Sequence, residues 1–215
     1  MHDPREIAKQ LRLPEGENAK IATDFMARGN QMLYDVTLQK LNLFDGARVL
    51  EIGPANGHFV ENVFQKNDSV FYTGVDLSAD MIAEAKKINS ELLAAKKAEF
   101  IYGNIIDLPL TNNQFDFVFT INTLYFWPDV QKGMSEILRV LKKGGKLVVA
   151  IRSKETMMKM PFTEFGFTLY SKDDLKNLFV ANNLSEIMIF SDSEEITLPN
   201  GEKKSLENHW GVGML

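Results

Sequence analysis

The chain has 215 residues, the size of one ordinary domain. Its composition, 45% hydrophobic and 25% charged, is that of a globular protein and excludes a disordered or fibrous one. With 24 basic against 29 acidic residues, a net charge of −5 and no long run of like charge, it offers no basic stripe for a phosphate backbone, so no nucleic-acid partner is expected.

The absence of cysteine removes disulfides, thiolate nucleophiles and Cys-ligated zinc. The three histidines, His2, His58 and His209, lie too far apart for a local motif of the H-E-x-x-H kind, so no metal is expected. The N-terminus carries acids early and lacks an apolar h-region, and no apolar run approaches the ~18 residues of a membrane span. The expectation is a cytoplasmic chain with no membrane partner; whether it is a monomer or a homodimer is left open.

Residues 19–43 are helical in pattern, with Ile21, Phe25, Met32, Leu33, Val36 and Leu41 apolar and a break expected near Gly29-Asn30. This segment is expected to pack over the C-terminal end of a sheet. From residue 48 onward apolar strands and helical stripes alternate. Strands are expected at 48–53, 70–75, 98–102, 115–121 and 146–151. Helices are expected at 57–66, 79–97 and 129–141. Strands this apolar, separated by helices, suit a parallel sheet covered on both faces. A further helix is expected over 171–183 with Ser171 as N-cap, then strands at 186–190 and about 208–215 with no helix between them. The expected fold is therefore a doubly wound, mostly parallel seven-stranded α/β sheet with an antiparallel C-terminal edge hairpin. Residues 1–45 form a helical cap on it, 46–152 a cofactor-binding core, and 153–215 the remainder. Residues 153–170, rich in Met and Phe, have no assignable period. They are read as capping the core, against an alternative in which they line an apolar pocket.

In open α/β sheets ligands bind at the carboxyl ends of the strands, and the loop after the first strand is the usual anchor. Here it runs Glu51-Ile52-Gly53-Pro54-Ala55-Asn56-Gly57. A dinucleotide fingerprint needs a glycine where Ala55 stands, which counts against a nicotinamide-dependent oxidoreductase. No Lys or Arg occurs between Glu51 and Gln65 to balance phosphate, and the G-x-x-x-x-G-K-[ST] pattern is absent. The loop suits a nucleoside without phosphates. Asp76, at the end of the second strand, stands where a carboxylate can accept both hydroxyls of a ribose; the competing role is an N-cap, which Ser78 could equally fill.

These residues resemble a family. The strings Val49-Leu50-Glu51-Ile52-Gly53-Pro54-Ala55-Asn56-Gly57, Gly74-Val75-Asp76-Leu77-Ser78, Gly103-Asn104-Ile105-Ile106-Asp107-Leu108-Pro109, Phe115-Asp116-Phe117-Val118 and Leu141-Lys142-Lys143-Gly144-Gly145-Lys146-Leu147 resemble, in order and spacing, the motifs of class I S-adenosylmethionine-dependent methyltransferases. The nearest likeness is to the type 11 small-molecule enzymes. The resemblance implies a Rossmann-like fold, S-adenosylmethionine as cofactor, S-adenosylhomocysteine as product and no metal. It implies Glu51 with Gly53, Pro54 and Gly57 at the methionine moiety, Asp76 at the ribose, Leu77 and Met81 around the adenine, Asn104 and Ile105 at its edge, and Asn30 and Ile121 as further contacts. Asn104 stands where the family has aspartate; its carbonyl oxygen can still face the adenine amino group.

Methyl transfer from a sulfonium is an in-line displacement, to which positioning contributes much of the acceleration. Of the groups near the fourth strand's end, Asn122, Tyr125 and Asp129 make poor bases, and His58, opening a helix, reads as surface. The catalytic group is therefore left unassigned. Asn122, Tyr125 and Trp127 are the candidate acceptor contacts. Asn122-Thr123-Leu124-Tyr125 has the outline of the motif of nucleic-acid amino-methylating enzymes but lacks its central prolines. The expected function is methyl transfer to a small-molecule acceptor. The alternatives are a non-enzymatic S-adenosylmethionine-binding protein and a nucleic-acid methyltransferase.

Overall fold

A computed structural model describes residues 3–197 and 203–215. Seven strands, β1 (Arg48–Ile52), β2 (Phe71–Asp76), β3 (Ala98–Tyr102), β4 (Phe115–Ile121), β5 (Leu141–Arg152), β6 (Ser185–Thr197) and β7 (Lys203–Met214), form one sheet in the order β3-β2-β1-β4-β5-β7-β6. The first five are parallel, and β7 runs antiparallel to both β5 and β6. The strand order reverses between β1 and β4, so the ends of β1, β2 and β4 open onto the crevice that such a switch point creates.

Alternation along each strand divides the core in two. Val49, Tyr72, Phe119, Val148 and Trp210 face one side, where α2 (Ala19–Leu41) and α3 (Val60–Lys66) cover them with Leu33, Leu38, Leu41, Val60 and Val63. Leu50, Val75, Val118, Val149 and Ile151 face the other, against Met134, Ile137 and Val140 of α6 (Val130–Val140) and Leu175 and Phe179 of α8 (Lys172–Ala181). Each such side chain removed from water contributes about 1.5–3 kcal/mol before chain entropy is set against it. Ser171 caps α8 in a capping box with Asp174, and Asp129 caps α6.

Several boundaries differ from the periodicity. The helix expected over 79–97 is broken at Asn89 into α4 (Ala79–Ile88) and α5 (Ser90–Ala94), because the Asn89 amide leaves the helix pattern to donate to the Gly57 and Ala85 carbonyls. Conversely, α2 runs unbroken through Gly29-Asn30. A glycine inside a helix costs only about 1 kcal/mol, and tertiary packing offsets it. The C-terminal half of α2 lies on the sheet face and its N-terminal half overhangs the strand ends. The expected strand 146–151 starts at Leu141 and carries a bulge where Phe115 pairs with Leu141 and Phe117 with Lys146. The last two strands are much longer than the apolar runs suggested: beyond the pair Arg152–Asn208 where β5 ends, β6 and β7 continue as a two-stranded hairpin that packs on the segment after β5. Backbone pairing extends that hairpin past the residues with apolar patterning. Residues 153–170 contain α7 (Lys154–Met157) and a 3-10 turn at Pro161–Glu164. The N-terminal helix α1 (Pro4–Arg12), with Asp3 as N-cap, lies in the segment expected as a helical cap, where periodicity had placed a helix only over 19–43.

Candidate active site

The parallel strands end at a cavity of about 670 Å³. Its first wall is the loop after β1. Gly53 has φ +77°, and a Cβ there would lie 2.4 Å from Thr123 Cγ2, so only glycine allows the loop to pass under the end of β4. Thr123 is fixed in turn by the Trp127 indole N–H, which donates to its hydroxyl at 3.1 Å. Ala55 also has a left-handed backbone, φ 49°, and its N–H donates to Asp76 Oδ2 at 2.9 Å. Asp76 Oδ1 accepts from the Ser78 N–H at 2.8 Å, while the Ser78 side chain, not Asp76, caps α4. The Asp76 carboxylate is thus oriented by two backbone donors and retains lone pairs for further hydroxyls. Burial pushes its pKa up and the backbone donors pull against that shift.

Asn30, Gly53, Pro54, Asp76, Leu77, Asn104, Ile105, Ile121, Asn122, Tyr125 and Trp127 all line the cavity. Glu51, Gly57 and Met81 do not. Glu51 lies beneath the floor, 1% exposed, where its two carboxylate oxygens accept from the Tyr34 and Tyr72 hydroxyls. Burial is the main cause that raises its pKa to about 7, against the lowering effect of the two tyrosines. Met81 turns into the core, and Gly57 faces the Asn89 amide instead of the cavity. The Asn104 carbonyl oxygen accepts from the Ile106 N–H at 3.2 Å, which directs the amide nitrogen as the free donor.

At the end of β4, Asn122 has φ 56° and links three elements. Its amide donates to Asn30 Oδ1 of α2 at 2.9 Å, and its carbonyl oxygen accepts from the Tyr125 hydroxyl at 3.0 Å and the Arg152 N–H at 3.1 Å. Tyr125 is buried, and burial pushes its phenol pKa far up. The Arg152 guanidinium donates to the Gly29 carbonyl, to Glu194 at 3.1 Å and to Asn208 at 3.1 Å, and so holds α2 to the β6–β7 hairpin.

The opposite wall is apolar. Met157, Met160, Phe162 and Phe167 from residues 153–170 line it, together with Phe126 and the hairpin residues Ile196 and Leu206. The unassigned Met/Phe segment therefore lines the pocket instead of merely capping the core. Phe167 packs edge-on against Phe126 at 4.5 Å and beside Phe162 at 5.7 Å. Across the top runs α1, tied at one end by Arg5 over the Phe165 ring at 5.2 Å and at the other by the Ser78 hydroxyl donating to the Pro14 carbonyl at 2.8 Å.

Tyr34, Arg28 and Arg152 also line the cavity, and no local motif marked them; Thr123 lines it too, a spacer in the string after β4 that was given no role. Position at the end of β5 could have pointed to Arg152, and the four-residue step from Asn30 along α2 to Tyr34. His58 sits exposed at the cavity rim. His209 is elsewhere, buried, with Nδ1 2.9 Å from the Ser191 hydroxyl. Folding brings it together with Glu155 and Glu207, their ligand atoms within 4.8 Å of one another, which sequence distance had hidden. His2 lies outside the described residues.

A methyltransferase domain family matches residues 43–187. The chain is 30% identical over 135 residues to the uncharacterized methyltransferase YdaC of Bacillus subtilis, a match that covers 63% of this chain and 72% of that protein. It is 36% identical over 99 residues to the demethylmenaquinone methyltransferase of Bacillus mycoides, covering 46% of this chain and only 40% of that one. A solved S-adenosylmethionine-dependent methyltransferase from Aquifex aeolicus superposes over 100% of both chains with a TM-score of 0.67 at 18% identity, a likeness of fold. Domain match, relatives and sheet topology together place this chain among the class I S-adenosylmethionine-dependent methyltransferases.

Proposed function

We propose that the chain transfers a methyl group from S-adenosylmethionine to a small-molecule acceptor with a largely apolar body. The observation that carries this reading is one cavity with two chemistries: a pre-oriented carboxylate, Asp76, beside a loop without cations, facing a wall of Met and Phe side chains. The donor set fits the cofactor. Asp76 suits two ribose hydroxyls, the Asn104 amide an adenine edge, and Asn30 with the Gly53–Asn56 backbone the methionine end. Bound there, S-adenosylmethionine supplies an electrophilic methyl carbon. The chain's own part is to hold the acceptor in line with it and to keep water away, with Tyr125 and Asn122 as the polar contacts at the junction. A small molecule, not nucleic acid, fits an enclosed apolar wall and a net charge of −5.

Calorimetric titration with S-adenosylhomocysteine tests the cofactor half. Binding by the wild type is expected, weakened roughly 30- to 1000-fold in Asp76→Ala, the loss of two hydrogen bonds to a charged group at about 2–4 kcal/mol. No binding by the wild type would refute the reading.

A further inference from the structure

The cavity's titratable groups constrain the acceptor, given the reading of the cavity as a cofactor and acceptor site. Two of them, Tyr34 and Tyr125, have their hydroxyls committed to Glu51 and to the Asn122–Arg152 junction, and burial holds both phenols protonated. Asp76 is held at the loop after β1 by the Ala55 and Ser78 N–H groups, across the cavity from the Met and Phe wall. His58 lies at the rim, in the turn just after that same loop. Among the described residues no carboxylate, histidine or lysine lines the apolar wall itself, and none of them there takes a proton from an acceptor.

The sign of the lining points the same way. Among the described residues Arg12, Arg28 and Arg152 line the cavity against a single carboxylate, Asp76, in a chain whose net charge is −5. Arg152 is neutralised by Glu194. Arg12 at the end of α1 and Arg28 on α2 are exposed and form no ion pair among the described residues. Two guanidiniums without an ion pair among the described residues, beside an apolar pocket, suit a ligand with a fatty or aromatic body and an oxyanion, since guanidinium binds carboxylate-like oxygens in bidentate fashion.

We propose that the acceptor is an amphiphilic oxyanion, a carboxylate or a strongly acidic enol or phenol, which is methylated on oxygen without a general base. The acceptor's oxygen lone pair forms the bond to the methyl carbon as the methyl–sulfur bond breaks, and that bond's electron pair stays on sulfur. An anion and a sulfonium become a neutral ester or ether and a neutral thioether, and no proton moves. Charge is annihilated in the step, so an apolar enclosure around the oxyanion favours it over water.

The test uses the full chain saturated with S-adenosylhomocysteine, whose own titration reports the cofactor site separately. Into this complex decanoate and decanol, equal in chain length and different in charge, are titrated by calorimetry. Decanoate is expected to bind at least tenfold more tightly. In Arg12→Gln/Arg28→Gln that preference should fall below threefold, with S-adenosylhomocysteine affinity within threefold of wild type. Equal affinity for the two probes, or binding of neither, overturns the proposal while the cofactor reading stands. Loss of S-adenosylhomocysteine binding in the arginine variant also overturns it, because the arginines then hold the cofactor's carboxylate. With S-adenosylmethionine in place of the product, thioether formation driven by decanol or decylamine in preference to decanoate would overturn it too, and a dependence of that turnover on His58, lost in His58→Ala, would identify the base denied here.

Discussion

Where β1, β2 and β4 end, the cavity is formed by backbone and short polar groups within a few residues of their strands: Gly53 beneath Thr123, Asp76 held by the Ala55 and Ser78 N–H groups, Asn104 turned by Ile106. The opposite wall draws long apolar side chains from three places apart in sequence, Phe126 after β4, residues 153–170 and the β6–β7 hairpin. The first region is shaped by hydrogen bonds and backbone conformations that tolerate little change. The second is shaped by Met and Phe packing, which adapts. A rigid subsite suits a ligand common to a whole family, and an adaptable one suits an acceptor that differs between members.

Substitutions should separate the two regions, with Asp76→Ala the severest for binding. Next in size, Gly53→Ala combines a left-handed φ with a collision against Thr123. It should destabilise the fold by about 3–4 kcal/mol in chemical denaturation and weaken S-adenosylhomocysteine binding as well. Glu51 probes the layer beneath. Its folded-state pKa of about 7 lies above the ordinary 4.5, so between those values the folded state keeps a proton that the unfolded chain releases. Its contribution to stability is therefore full below about pH 4.5, is lost as pH rises to about 7, and is of order 3 kcal/mol. Glu51→Gln should flatten that fall, read as the difference in unfolding midpoint between pH 5 and pH 8 in the two proteins.

On the apolar side the effects should be smaller and confined. Phe167→Ala removes the ring contacts to Phe126 and Phe162 and should cost about 2 kcal/mol of stability with S-adenosylhomocysteine affinity unchanged within twofold. Parallel loss of cofactor affinity there would show the two walls to be coupled and break the comparison. Smallest of all, Ala55→Gly relieves a left-handed backbone at φ 49° and should stabilise the fold by about 0.5–1 kcal/mol, the strain relieved less the entropy that glycine adds to the unfolded chain. A thermal melt measures it.

The legible and illegible parts of the molecule divide along the same line. β1 to β4, α6 and the Ser171 cap of α8 could be read from period and capping residues because each depends on neighbours within one element. The break at Asn89 could not, since it is set by the Gly57 carbonyl 32 residues away. Nor could the continuity of α2 through Gly29, whose carbonyl is held by Arg152. Glu51 shows the limit within a motif: its place in the loop after β1 suggested a ligand contact, but Tyr34 and Tyr72, from a helix and the neighbouring strand, occupy both its oxygens.

By itself, then, the sequence determined the parallel core, the order of its strands and helices, and the lack of any Lys or Arg in the loop ahead of Asp76. Those properties are encoded in local periodicity and in residue types that act within a single turn. Tertiary structure alone decided that the Met/Phe segment faces a cavity, that the hairpin outgrows its sheet to wall it, and that Arg12 and Arg28 line it with no ion pair among the described residues. These features depend on contacts between residues distant along the chain, whose partners only the packed fold selects.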